Sequence, residues 1–346
     1  MRDFVQENLR WNFTVNLFDI ALFSLGLGFA GPYTIIPVFV HEHSSSTFFQ
    51  DIRPLLIGFI SALTSVGWYL PQIITAAHVA KLERRKPFVL AAGLAQRVPF
   101  LLMALATALI AEKSGNLVLI VFFILYAIQA FGGGFVATAW QELIATVIPP
   151  LKRGLFFGTA FLAGGVLMIV GGQFAGLILH FVTRPDSYAF CFGVCFFFTM
   201  ISWCFLAQNR EPRRQMPERS PPPFRFFNEL PKIAKSNSNW IAYVISQFPI
   251  IPAGILCVFV PVWGRFELGV SDYEVGLMTS VAALGETVGN PFLGLLGDRK
   301  GHKLCLQIAC GALVAALASV LAFPSRGGLY LALFLIGLYT SGRKVS

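Results

Sequence analysis

Stretches of about 20 or more mainly apolar residues follow one another along this chain. They lie near 12–40, 54–79, 87–111, 116–140, 154–182, 186–208, 239–264, 274–297 and 303–323, with a further run from 327. In lipid every backbone N–H and C=O must be bonded inside the protein, so runs of this length read as membrane-crossing helices. Composition excludes the soluble alternative. The chain is 56% hydrophobic and only 12% charged, whereas soluble domains carry roughly 25% charged residues. The net charge of +9 does not point to nucleic acid, because the basic residues sit in the short connections between apolar runs. The expected partner is the lipid bilayer, and the expected class is an all-α integral membrane bundle of about 10 transmembrane helices in a 6 + 4 arrangement.

Lys and Arg decide the orientation. Arg53, Lys113, Arg184, Arg265 and Arg326 fall in alternate connections, Arg97 lies inside a run, and the rest of the 26 basic residues share the side of the N-terminus. The positive-inside rule then makes the N-terminus cytoplasmic in a multi-pass plasma (cell inner) membrane protein, with no cleaved leader ahead of the first run. Residues 209–238 carry Pro212, Pro217, Pro221, Pro222 and Pro223 among basic residues. That segment is expected as a cytoplasmic linker between residues 1–208, a six-helix half, and residues 239–346, an incomplete half holding helices 7–10.

Three ionisable residues fall inside runs: Asp19, Arg97 and Glu286. Such groups are costly in lipid and are functional candidates by default. Asp19 and Arg97 enter their helices from the same side, at depths of roughly 10 and 15 Å at the helical rise, and are expected as a buried ion pair. Glu286 lies near the expected midplane, where burial suits a proton-carrying carboxylate. Pro32 and Pro37 in run 1, Pro249 and Pro252 in run 7, and Gly132-Gly133-Gly134 in run 4 are expected to interrupt their helices. Cys191, Cys195, Cys204, Cys257, Cys305 and Cys310 form no CxxC pair and are expected as packing residues. His41, Glu42 and His43 stand in an outside loop and are expected to be solvated rather than to hold a metal. No cofactor is called for, and no HExxH or nucleophile-elbow motif suggests an enzyme.

Between runs 8 and 9 stands Gly294-Leu-Leu-Gly-Asp298-Arg299-Lys300-Gly301-His302-Lys303, expected as a short charged hairpin. Residues 77–86 occupy the same place after the second run, as a basic hairpin without the acid. Two parallel halves joined by a cytoplasmic linker are a known transporter plan. With these features the chain resembles the major facilitator superfamily of secondary transporters, whose loop after the second helix of a half reads roughly G-x-L-x-D-R-x-G-R-K. Gly294, Leu296, Asp298, Arg299, Gly301 and Lys303 match it, and Arg153-Gly154 matches the family's Arg-Gly step after the fourth helix. Run 5 has Gly171-Gly172 and Gly176 but not the Gly-Pro pair of the family's drug/proton antiporters.

The resemblance implies a secondary active transporter of a small solute by alternating access, with possible proton coupling and a monomeric state. It places helices 1, 4, 7 and 10 around a central cavity, so Asn16, Asp19, Ser24, Tyr126, Gln129, Ser246 and Gln247 become the natural polar contacts. The expected solute and ion pathway is Asp19, Gln129, Gln247 and Glu286. Gly294, Asp298, Arg299, Gly301 and Lys303 are expected to gate it, with Asp298 as a charge latch and both glycines giving close contact and a tight turn. The competing readings are a non-transporting receptor or scaffold that keeps the fold, and an inactive fragment.

Overall fold

The computed structural model of the protein describes residues 2–44, 47–214 and 225–345. Their regular elements are all helices: α1 (Arg2–Glu7), α2 (Leu9–Gly28), α3 (Ile35–His43), α4 (Thr47–Asp51), α5 (Arg53–Val79), α6 (Lys86–Ile110), α7 (Gly115–Val147), α8 (Pro150–Phe181), α9 (Asp186–Ala207), α10 (Arg225–Ser236), α11 (Ser238–Leu256), α12 (Phe259–Phe266), α13 (Asp272–Lys300), α14 (His302–Ala322) and α15 (Arg326–Val345). Among the described residues, α5, α6, α7, α8, α9 and α14 are long and apolar enough to cross a membrane on length and hydropathy alone. The other long helices, α2, α11, α13 and α15, carry more polar residues yet pack into the same bundle. Asn12, Asn16 and Asp19 of α2, for instance, are buried against protein rather than lipid, which is how a membrane helix tolerates polar groups. We call the end of the bundle where α2 begins the near end and the opposite one the far end.

Helix α8 lies between α2 and α13, and small residues set both contacts. A methyl group on Gly28 would come 2.8 Å from the Cα of Gly171, and one on Gly172 would come 2.6 Å from the Ser280 hydroxyl. Gly276 of α13 sits directly on the Gly176 backbone. Without a water-driven force between helices in lipid, such close backbone approach is what holds them together. Across the α8–α13 contact Ser280 also donates to the Ile169 carbonyl at 2.8 Å, and the Tyr273 hydroxyl donates to Gln173 at 2.7 Å.

Several expectations change. The break in run 1 spans residues 29–34, between α2 and α3, and contains Pro32. Pro37, in contrast, is the third residue of α3, where its missing N–H had no helical partner to lose. In run 7 the break falls at residues 257 and 258, between α11 and α12. Pro249 and Pro252 fall within α11, and their side chains lie outside the described residues. Gly132-Gly133-Gly134 interrupts nothing: α7 runs through it, with Gly132 against the backbone of Ala95 and Gly134 against the carbonyls of Gly67 and Trp68. The expected hairpin at 294–303 is also helical as far as Lys300. Gly301 alone, at φ +91, makes the turn before α14 begins.

The connection after α9 is not loose at its start. Asn209 and Asn16 exchange hydrogen bonds at 2.6 and 3.0 Å, and the Glu211 carboxylate accepts from the backbone N–H groups of Arg85 and Lys86 at 2.7 and 2.9 Å. Glu211 thereby satisfies donors that the first turn of α6 leaves open. Pro217, Pro221, Pro222 and Pro223 lie outside the described residues, and α10 packs on α11.

Candidate functional site

The intramembrane charges define one site. Asp19 on α2 and Arg97 on α6 are 4% and 3% exposed and stand 3.8 Å apart. The Ser202 hydroxyl of α9 donates to Asp19 at 2.6 Å. Arg97 donates to the Thr199 carbonyl at 3.0 Å, to the Gly93 carbonyl at 3.2 Å and to Gln96 Oε1 at 3.2 Å, and it lies over the Phe23 ring. Asp19, Arg97, Thr199 and Ser202 join α2, α6 and α9 at this point, and Trp140 of α7 also bonds Asp19. The Asp19 carboxylate is thus engaged by Arg97 and Ser202 where α2, α6 and α9 meet. A buried pair of this kind costs desolvation that only good hydrogen bonding repays, and these helices supply it.

The other sequence-nominated residues scatter. Gln129 is half-buried on α7, one turn from Tyr126. Glu286 is half-buried on α13, on the side turned to α15, where its backbone N–H lies against Gly337. The side chains of Gln247 and Asp298 lie outside the described residues. Arg299 and Lys303 are exposed. Gly301 has the positive φ of a tight turn, but a methyl group on Gly294 would meet nothing within 4 Å, so Gly294 gives no close contact.

A cluster that sequence patterns did not nominate forms where the two helix breaks face the ends of neighbouring helices. The Tyr126 hydroxyl of α7 and the Thr64 hydroxyl of α5 share a 2.8 Å hydrogen bond. On α15, Arg343 donates to the Tyr339 hydroxyl at 3.3 Å and reaches across to the Tyr69 hydroxyl of α5 at 3.4 Å. A methyl group on Gly254 of α11 would come 3.1 Å from the Tyr339 hydroxyl. Tyr33, from the break after α2, lies within electrostatic reach of Tyr126, Cys257, Tyr339 and Arg343. By sequence Arg343 is one of the basic residues that share the side of the N-terminus. What turns it inward is the phase of α15 against α13, set by Gly285 on Phe334 and Gly289 on Ser341.

At the far end four charges close a ring. Glu42 at the end of α3 lies 3.0 Å from Arg184, in the connection between α8 and α9, and 3.9 Å from Arg265 of α12. Asp272 at the start of α13 pairs with Arg265 at 2.6 Å and also with Arg184. Tyr188 donates to Glu42 at 2.8 Å, and His41 stacks on Phe266 with ring centroids 3.6 Å apart. His43 bonds the Phe39 carbonyl. The expected solvated loop at 41–43 is thus a half-buried junction between α3 and α12. Burial raises the Glu42 carboxyl above the usual carboxylate range, against the pull of Arg184, Tyr188 and Arg265. Burial, reinforced by Arg53, lowers His41 to about 4. Among the described residues, no group of three His, Cys, Asp or Glu side chains converges as a metal site.

The near end has its own charge corner. Arg85 is fully buried, its guanidinium 3.8 Å from Glu142 of α7, and Lys86 Nζ donates to the carbonyls of Ala207 and Asn209, each at 2.9 Å.

Known proteins place this architecture. The Multidrug resistance protein MdtG of Salmonella arizonae is 24% identical over 316 residues, which cover 87% of this chain and 70% of that protein. MdtG of Salmonella typhimurium matches over the same extent at 24% identity. The crystal structure of a D-xylose-proton symporter superposes with a TM-score of 0.62 at 16% identity, covering 98% of this chain and 80% of the other. The partially occluded inward-open xylose transporter XylE from E. coli gives 0.62 at 13% identity, covering 96% and 84%. At those identities the structures speak for the fold. The sequence profile of the Major Facilitator Superfamily matches residues 18–342. The chain is therefore a multi-pass membrane protein of the transporter class and not an enzyme, and it belongs to the Major Facilitator Superfamily.

Proposed function

We propose that the protein is a secondary active transporter that moves a small solute by alternating access. Its halves are residues 1–208 and 239–346, which rock about the polar cluster around Tyr33, Tyr126 and Tyr339. The observation that carries this reading is the far-end ring. Its members come from both sides of the 209–238 segment, so the site can open toward the far end only if Glu42 and Arg184 part from Arg265 and Asp272. The paired breaks after α2 and α11 support it, since a transporter frees backbone groups beside its binding site in that way. We place the N-terminus and the near end in the cytoplasm of a plasma (cell inner) membrane on the distribution of Lys and Arg, which makes the conformation described here closed to the outside.

Proton coupling falls to Glu286. This residue is a half-buried carboxylate at the middle of α13, where partial burial suits a group that takes up and releases a proton. The curated relatives are called multidrug resistance proteins, which favours export of an amphiphilic solute. The xylose symporter neighbour keeps uptake of a small polar solute as the second reading.

Reconstitution into proteoliposomes tests the proposal. Solute flux should follow an imposed pH gradient and lose that dependence in Glu286→Gln. A cross-link between cysteines placed at Glu42 and Asp272 should stop flux, and reduction should restore it. Undiminished flux with the far end locked would refute alternating access at this ring. Unaltered pH dependence in Glu286→Gln would remove Glu286 from coupling.

A further inference from the structure

We infer that the solute is an organic carboxylate, held by Arg343 with its apolar body among the phenol rings of Tyr33, Tyr126 and Tyr339. The inference rests on the transporter reading for its location but not for its chemistry. Arg85, Arg97 and Arg343 are guanidiniums lodged within the bundle, and Arg343 differs from the other two. Arg85 faces the Glu142 carboxylate at 3.8 Å. Arg97 is met by a carboxylate and by two backbone carbonyls. Arg343, half-buried near the end of α15, is met among the described residues by two phenol hydroxyls at 3.3 and 3.4 Å and by no carboxylate.

A guanidinium has five N–H donors in a planar fork and cannot give up its charge. Two long phenol contacts use part of that capacity and none of the charge. A carboxylate satisfies the fork with two parallel charge-assisted bonds, which is the geometry Arg selects. The surroundings specify the rest of the molecule. The Tyr339 ring lies 5.9 Å from the guanidinium carbon, so the face beside the cation is aromatic. The hydroxyls of Tyr126 and Thr64 bond each other at 2.8 Å and leave one neutral polar contact for the far part of the solute. A cationic fork beside an aromatic ring and a hydroxyl pair fits an amphiphilic monoanion.

The test uses the purified full chain in lipid nanodiscs, titrated near neutral pH with matched pairs: benzoate against benzamide, and octanoate against octanamide. Binding is read by tryptophan fluorescence and by thermal unfolding. The acids should bind at least about tenfold more tightly than their amides, a difference of about 1.4 kcal/mol. Arg343→Gln should abolish that preference, Arg343→Lys should retain part of it, and Tyr339→Phe should weaken the acids a few fold while the chain stays folded by circular dichroism. Equal binding of acid and amide, binding of the acids that survives Arg343→Gln, or no binding of either acid overturns the assignment. Flux separates this inference from the transporter reading. Arg343-dependent acid binding without transport would leave the site assignment standing and remove the transporter. Transport of a neutral solute that is indifferent to Arg343→Gln would do the reverse.

Discussion

Replacing Asp19 by Asn tests whether the α2–α6–α9 contact is bolted by charge. The substitution keeps the shape and a polar partner for the Ser202 hydroxyl at 2.6 Å, and removes the negative charge 3.8 Å from Arg97. At an effective dielectric of about 20 that separation corresponds to about 4 kcal/mol of Coulomb attraction. Arg97 keeps its bonds to the carbonyls of Thr199 and Gly93, which soften the loss. Leaving a buried charge without its partner generally costs about 3–5 kcal/mol; with those carbonyls in place, about 3 kcal/mol is expected. Trp203 of α9, whose indole donates to the Leu90 carbonyl at 3.0 Å and which lies beside Gly93, is a native reporter at this contact. Unfolding in mixed micelles, followed at Trp203 for wild type, Asp19→Asn, Arg97→Gln and the double variant, yields the coupling energy directly. A coupling below about 0.5 kcal/mol, with both single variants costing less than about 1 kcal/mol, would show that the helices are held by packing alone. Transport lost in Asp19→Asn at unchanged stability would put Asp19 on the pathway.

Three further outcomes follow from the same geometry. Glu211→Ala strips two buried or half-buried backbone donors at the start of α6 of their acceptor and should destabilise the near end by about 1–3 kcal/mol, seen as faster hydrogen exchange at residues 85–89. Gly276→Leu drives a side chain into the Gly176 backbone and should lower thermal stability more than Gly294→Leu, where a methyl group meets nothing; equal losses would refute the packing account. His41 is held neutral in the closed far end, with its pKa lowered to about 4. Opening lets it return toward its usual value near 6.5, so acidification from about 6.5 to 4 should favour the open far end. Glu42, raised in the closed form, acts in the opposite sense, its contribution to closure fading as pH rises through its shifted value. A labelling rate at the far end that rises on acidification in wild type and no longer rises, or falls, in His41→Gln is the expected result.

How much was legible depended on how local the physics is. The break near Pro32 could be read because proline acts on its own turn. The ion pair could be read because both depths count from the same membrane face, and Gly301 because a one-residue turn demands a positive φ. The glycine triplet was misread for a related reason. A glycine loosens a helix by itself but tightens it against a neighbour, and Gly132 and Gly134 have the backbones of α6 and α5 beside them. The far-end ring left no trace in any one segment. Glu42, Arg184, Arg265 and Asp272 come from four separate stretches, each of which reads alone as a charged membrane edge.

Arg343 marks the boundary between the two kinds of information. The sequence by itself determined that this chain enters a bilayer, roughly where its helices run and which face its N-terminus is expected to take. Apolar length and the placement of Lys and Arg act on each segment separately, so no partner is needed to read them. The tertiary structure decided which charges pair with one another and which, like Arg343, meet only phenol hydroxyls among the described residues. That depends on the rotation and axial offset of each helix against its neighbours, set here by glycine contacts such as Gly276 on Gly176 and Gly289 on Ser341. A rotation by one residue would turn Arg343 away from Tyr69 while leaving the hydropathy of α15 the same.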